Sequence, residues 1–128
     1  MTSGTAIGRV RGLGSSHEGT HHWLHQRITA GSNLALMLWF MVSIALLPGY
    51  SLEIARDWIA STWTAVPLIL LIISVVYHFR LGLQVVIEDY QKGESRVILM
   101  VLLNYFSVAV ATTAIFAILK IAFTAGAA

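Results

Sequence analysis

The stretch from Trp63 to Tyr90 reads WTAVPLILLIISVVYHFRLGLQVVIEDY, and it decides the fold class of the chain. Its apolar part matches the roughly 20 residues that a helix needs to cross a bilayer. Backbone N–H and C=O groups find no water in lipid, so such a segment must be helical. His78 lies deep within it, and because an ionisable ring is costly there, it is a candidate functional residue.

Apolar segments of similar length precede and follow this stretch. The sequence therefore predicts an all-α integral membrane protein with three transmembrane helices at about 28–48, 64–90 and 96–123. Residues 51–63 alternate between apolar and charged and contain two tryptophans, which predicts a short interfacial helix before the second span. Gly93 is a natural helix stop, so the second and third helices should form an antiparallel hairpin.

The composition supports the membrane assignment and excludes several kinds of chemistry. Hydrophobic residues make up 57% of the 128 residues and charged residues 11%, against about a quarter charged in soluble domains. There is no cysteine, which excludes disulfides, thiolate catalysis, covalent haem attachment and iron–sulfur ligation by this chain. Residues 1–24 are polar, resemble no signal peptide, and predict an irregular cytoplasmic tail before a membrane domain at 25–128.

The distribution of basic residues predicts the orientation. With the N-terminus inside, two basic residues, Arg56 and Lys120, lie outside, whereas five lie inside: Arg9, Arg11, Arg27, Lys92 and Arg96. The positive-inside rule thus favours a cytoplasmic N-terminus and a periplasmic C-terminus in a bacterial inner membrane. Asp89 and Tyr90 then lie at the cytoplasmic face.

The helix face that carries His78 has the properties of a haem site. Gly82 and Asp89 share that face at i+4 and i+11. A neutral imidazole is a common axial ligand of haem iron, and a glycine one turn away lets a flat macrocycle approach. The alternative is a histidine that bonds to a neighbouring helix, with Gly82 serving helix packing. No other histidine lies inside a span, so a second axial ligand would come from another chain.

The inner end of the same helix could bind a quinone. The Tyr90 phenol can donate a hydrogen bond to a quinone carbonyl, and Asp89 and the Arg27 guanidinium lie on the same side of the membrane. The alternative places Tyr90 in the aromatic belt and Asp89 among the headgroups. Arg27 is either a snorkelling charge or a donor to haem propionates or to the quinone.

Several polar residues are left without a defined role. Arg80 lies opposite His78, and neither of the other spans offers an acidic partner, so it should meet water or another subunit. Asn33 and Asn104 are expected to bond between helices. A surface zinc site could form from three histidines that recur every four residues, His17, His21 and His25, but no carboxylate or cysteine completes it. The role of the cluster that they form with His22 is left open.

Two segments together resemble a known family. The run from His78 to Tyr90, HFRLGLQVVIEDY, and the run from Gly14 to Arg27, GSSHEGTHHWLHQR, are similar to the small hydrophobic membrane-anchor subunit of succinate dehydrogenase, respiratory complex II. The resemblance covers roughly residues 12–110 and is closest to the bacterial, mitochondrial-like members. The spacing of the histidine, glycine, aspartate and tyrosine is fairly specific, whereas the remaining hydrophobic sequence is not.

The resemblance implies cofactors, partners and site residues. Two small three-helix anchor subunits hold a b-type haem between them with one histidine each, and they bind an iron–sulfur subunit and a flavoprotein. His78 matches the haem ligand, Tyr90 the tyrosine that bonds ubiquinone, and Asp89 its acidic neighbour. Arg27 matches an arginine near the quinone and the haem propionates. The resemblance therefore implies electron transfer from succinate to ubiquinone, with no flavin or iron–sulfur cluster on this chain.

Three other functions compete with this interpretation. A menaquinone-linked fumarate reductase anchor would have the same architecture and run in the opposite direction. A structural anchor without haem would keep the three helices. A small transporter is disfavoured, because small multidrug exporters have four spans and an acidic residue in the first, which this chain lacks.

Overall fold

The computed structural model describes residues 5–10 and 19–124, and the described part is almost entirely helical. Three of its helices are long and apolar enough to cross a membrane. The prediction of an all-α membrane protein with three spans is thus confirmed. In chain order the helices are α1 (Ala6–Val10), α2 (Gly19–Ala45), α3 (Leu52–Ala60), α4 (Thr62–Tyr90) and α5 (Glu94–Thr124).

The first long helix begins earlier than the sequence predicts. α2 starts at Gly19 rather than near Ile28, so residues 19–24 of the predicted irregular tail are helical. Hydropathy marks where a helix enters lipid, whereas the helix continues through polar residues as long as nothing interrupts its backbone hydrogen bonds. α2 ends at Ala45, three residues before Pro48, which cannot continue a helix. The other two spans lie within two residues of their predicted bounds.

α4 is the central helix of the molecule. It packs against α2 on one side and α5 on the other, and within the described residues no Cα atom of α2 lies within 8 Å of one in α5. The three spans therefore form an open layer rather than a closed bundle. Few side chains are buried, and the hydrophobic ones are Ala65, Leu68, Leu71, Leu81, Ile87 and Leu103.

The short helix before the second span is present, as predicted. The Ser51 hydroxyl accepts a bond from the Ile54 N–H at 3.3 Å and caps α3. At its other end, the Trp58 Nε1–H donates to Ser43 Oγ of α2 at 2.9 Å, and the Trp58 ring contacts Phe40. These contacts tie α3 to the C-terminal half of α2.

The connection between α4 and α5 is short and turns on Gly93. Its φ of +65° is in the left-handed region, where glycine avoids the clash of a Cβ atom. α5 then returns along α4, which confirms the predicted antiparallel hairpin. An ion pair between Arg96 Nη2 and Glu88 Oε1 at 3.5 Å lies at this end of the hairpin.

Candidate functional site

The His78 ring is held by the neighbouring helix. Its Nδ1 lies 2.9 Å from Oγ1 of Thr29, a buried residue of α2. Its Nε2 has no hydrogen-bond partner among the described residues and is not among their enclosed, unpartnered atoms. The contact meets the expectation of a histidine bonded to another helix, and it leaves one nitrogen free to bind a ligand.

The α2–α4 interface remains polar for two turns around this contact. The Tyr77 hydroxyl and His25 Nδ1 lie 3.1 Å apart, and their rings meet edge to face. One turn further along α4, a Cβ added at Gly82 would meet only Gln26 Nε2 within 4 Å, at 3.7 Å. Gly82 thus leaves an open groove beside Gln26. This groove fits both predicted uses of Gly82, which are the approach of a flat macrocycle and helix packing.

A cleft of about 700 Å³ opens between the N-terminal end of α2 and the C-terminal end of α4, and its wall includes Gly82 and Trp23. His22 Nε2 and Gln26 Oε1 are enclosed without a hydrogen-bond partner, and both residues line the cleft. Buried polar atoms are nearly always hydrogen-bonded, so these two atoms are exceptions. Hydropathy did not predict this pair, because it assigns His22 to an irregular tail; the i, i+4 spacing of the two residues was the available signal.

The three predicted quinone residues are not assembled into one site within this chain. Arg27 is exposed and lies over the Trp23 ring, with Cζ 5.3 Å from the centroid. Tyr90 is 81% exposed and Asp89 is also exposed. Across residues 19–124, no hydrogen bond or ion pair joins Arg27 to either of them. The described residues alone therefore form no pocket that the three side chains share.

Arg80 has a partner inside the chain, which corrects the expectation of water or another subunit. Its Nε–H donates to Asn104 Oδ1 of α5 at 2.6 Å. The Asn104 amide oxygen accepts this hydrogen bond without neutralising the charge of Arg80. A partner of this kind is not revealed by looking for acidic residues in the sequence. Asn104 thus bonds between helices as predicted, whereas the Asn33 Oδ1 is buried without a partner, contrary to prediction.

The predicted zinc site is incomplete. His17 lies outside the described residues, and His21 and His25 are in ring contact at 6.3 Å between centroids. In the described ranges, no group of three histidine, aspartate or glutamate residues could hold a metal ion.

Comparison with known proteins places these features in a family. The family model described as "Succinate dehydrogenase/Fumarate reductase transmembrane subunit" matches residues 1–123. The succinate dehydrogenase hydrophobic membrane anchor subunit of Paracoccus denitrificans is 31% identical over 112 residues, 87% of this chain and 86% of the relative. The subunit of the same name from Rickettsia bellii is 36% identical over 84 residues, 66% of this chain and 67% of the relative.

No solved structure matches the chain. The match to the family model extends over nearly the whole chain, including all three spans and the α2–α4 interface. The chain therefore belongs to the succinate dehydrogenase/fumarate reductase transmembrane subunit family, as a hydrophobic membrane anchor subunit.

Proposed function

We propose that this chain and a second anchor subunit bind haem b between them and form part of a ubiquinone-reduction site. The observation that carries the proposal is the His78 ring, whose Nδ1 is held by α2 and whose Nε2 is unpartnered. His78 lies twelve residues before the inner end of α4 at Tyr90, roughly 18 Å along the helix axis. A ring placed there can bind a group within the membrane.

The residues around His78 fit a haem. The ring nitrogen opposite a fixed hydrogen bond is the usual metal-binding atom of a ligating histidine. Gly82, one turn away, leaves space beside the helix. Bound haem would supply one-electron redox chemistry, while this chain would orient the imidazole and exclude water. The other histidines of the chain precede the apolar part of α2, so a second haem ligand would come from the partner anchor subunit.

The ubiquinone site is proposed at the inner end of α4. The Tyr90 phenol is free to donate to a quinone carbonyl, and Asp89 lies beside it. Reduction of the quinone to the quinol takes two electrons and two protons. Exposed carboxylate and phenol groups at the cytoplasmic face can pass protons from water. Arg27, stacked on Trp23, offers its guanidinium to the quinone or to haem propionates at the subunit interface.

The open architecture supports a multi-subunit assembly. We assign the second anchor subunit to the face that carries His78 and the cleft, and the iron–sulfur subunit to the inner ends near Asp89 and Tyr90. The flavoprotein, which oxidises succinate, would bind the iron–sulfur subunit. This arrangement requires the predicted orientation, with the N-terminus in the cytoplasm of a bacterium and the C-terminus in the periplasm.

A menaquinone-linked fumarate reductase is the second candidate, because the matching family includes fumarate reductases. The relatives reported above carry the succinate dehydrogenase name, which favours the first candidate. Extraction of the quinone bound to the purified complex and its identification by mass decides between them. Ubiquinone supports the proposal and menaquinone supports the alternative.

Replacement of the histidine tests the haem assignment. We expect His78→Ala to abolish or strongly perturb the b-type spectrum of the purified complex in a reduced-minus-oxidised measurement. His21→Ala is the matched control, because it removes an exposed histidine of α2 outside the apolar stretch. A complex of unchanged subunit composition that keeps the wild-type spectrum in His78→Ala would refute the ligand assignment.

A further inference from the structure

Three atoms that could accept a hydrogen bond surround the Thr29 hydroxyl, which has only one hydrogen to donate. Its Oγ1 lies 2.8 Å from the His25 carbonyl oxygen, 3.1 Å from the Gln26 carbonyl oxygen and 2.9 Å from His78 Nδ1. A hydroxyl carries one hydrogen and two lone pairs. The carbonyl oxygens can only accept, so the single hydrogen must point to them. A hydroxyl that donated to Nδ1 instead would leave two short oxygen–oxygen contacts without any hydrogen.

The direction of the Thr29–His78 bond follows from this count. Nδ1 must carry the proton and donate it to Oγ1, because the hydroxyl hydrogen is already used. A neutral imidazole carries one ring proton, so Nε2 then presents its lone pair. We propose that Thr29 is a positioning residue that fixes the Nε2-coordinating tautomer of His78 and lowers the reduction potential of the haem. This inference rests on the proposed ligation of haem by His78.

The position of Thr29 in the fold makes it suited to this role. It is buried at 9% exposure, and its bond to the carbonyl four residues earlier fixes the side-chain torsion. The hydroxyl is thus attached to the rigid backbone of α2, while His78 belongs to α4. The imidazole plane is set by a second helix and does not depend on the rotamer preference of His78 alone.

The chemical consequence concerns the basicity of the imidazole. A hydrogen bond from Nδ1–H to an oxygen makes the other nitrogen a stronger electron donor to a metal. A stronger donor stabilises ferric iron over ferrous iron and lowers the reduction potential. Removal of the Thr29 hydroxyl should therefore raise the potential, and loss of an outer-shell partner of this kind typically weakens metal binding by roughly 10- to 100-fold.

Three variants of the assembled complex test the proposal. Thr29→Val removes the hydroxyl at nearly the same shape, and Thr29→Ser keeps it. Ser32→Ala is the matched control, since Ser32 Oγ makes the same kind of bond to the Ile28 carbonyl at 3.0 Å without approaching His78. We expect Thr29→Val to raise the haem midpoint potential, change its EPR spectrum and speed haem loss by roughly 10- to 100-fold. Thr29→Ser and Ser32→Ala should match the wild type.

An unchanged potential and EPR spectrum in Thr29→Val would overturn the inference. If Thr29→Val assembles poorly, the cause is either the lost contact with His78 or poorer helix packing. The same change in a His78→Ala background separates these two causes. A positioning role predicts no further loss of assembly there, whereas an added loss would show that Thr29 serves helix packing and would overturn the proposal. A failure of the proposed haem ligation itself gives a different result, because His78→Ala alone would then keep the wild-type spectrum.

Discussion

His78 and Arg80 lie two residues apart on α4 and bond to different helices. The imidazole meets Thr29 of α2 and the guanidinium meets Asn104 of α5, so α4 is joined to both neighbours by polar contacts inside its apolar stretch. Helical phase alone placed the two side chains on opposite faces. It could not name Thr29, because a threonine in an apolar helix has no distinctive pattern and its role depends on which helix packs against it.

The Arg80–Asn104 bond should be measurable as a coupling energy. In Asn104→Leu the Arg80 Nε–H is left half-buried without an acceptor, which costs about 1–3 kcal/mol. The double variant Arg80→Leu/Asn104→Leu should lose less stability than the sum of the two single changes. Thermal unfolding of the purified complex measures all three variants. Additive losses would mean that the bond contributes nothing to stability.

At Tyr90, the removal of one oxygen atom separates two activities. We expect Tyr90→Phe to impair ubiquinone reduction clearly while succinate-dependent reduction of a phenazine dye, which needs no quinone site, stays near the wild-type rate. Tyr50→Phe is the matched control, because Tyr50 is also 81% exposed but lies at the opposite end of the spans. Unimpaired ubiquinone reduction in Tyr90→Phe would contradict the quinone role, whereas equal loss of both activities would indicate failed assembly.

At the scale of elements, the spans were predictable and the polar extension of α2 was not. The bounds of α4 and α5 follow from apolar length, with a glycine turn between them. α2 continues beyond its apolar part to Gly19 through residues that favour water, and this extension creates the cleft wall with His22 and Gln26. Hydropathy reports the lipid boundary, so it does not reveal a cleft just beyond that boundary.

The α4–α5 turn requires the left-handed conformation of Gly93. A Cβ added there would meet nothing within 4 Å, but φ is +65°, so Gly93→Ala should cost about 1–2 kcal/mol through backbone strain. At Gly31 a Cβ would also meet nothing within 4 Å, but this residue is in the interior of α2, so Gly31→Ala should be neutral or slightly stabilising. Thermal unfolding of the two variants compares them. A Gly93→Ala variant as stable as Gly31→Ala would contradict the turn geometry.

At the scale of the whole molecule, the chain is an open layer with large exposed apolar surfaces on its spans. Lipid can cover most of this surface. The proposed haem site needs a second ligand, and the apolar parts of the spans hold no histidine besides His78. We therefore place the proposed partner subunit on the α2–α4 face that carries His78.

The orientation of the layer can be tested without a background of native thiols, because the chain has no cysteine. We expect Tyr50→Cys to react with a membrane-impermeant thiol reagent in intact cells. Ser95→Cys, at the opposite end of the spans, should react only after the membrane is permeabilised. The reverse pattern would place the N-terminus outside and remove the proposed cytoplasmic quinone site.

The most direct test of the central claim exchanges the proposed iron ligand instead of deleting it. In His78→Met, a thioether takes the place of the imidazole, and a histidine–methionine pair raises the haem potential relative to two histidines. If His78 is an axial ligand, redox titration and EPR of the purified complex will show a raised potential and a changed ferric signal. A His78→Met complex that retains haem with the wild-type potential and EPR signal would contradict the account.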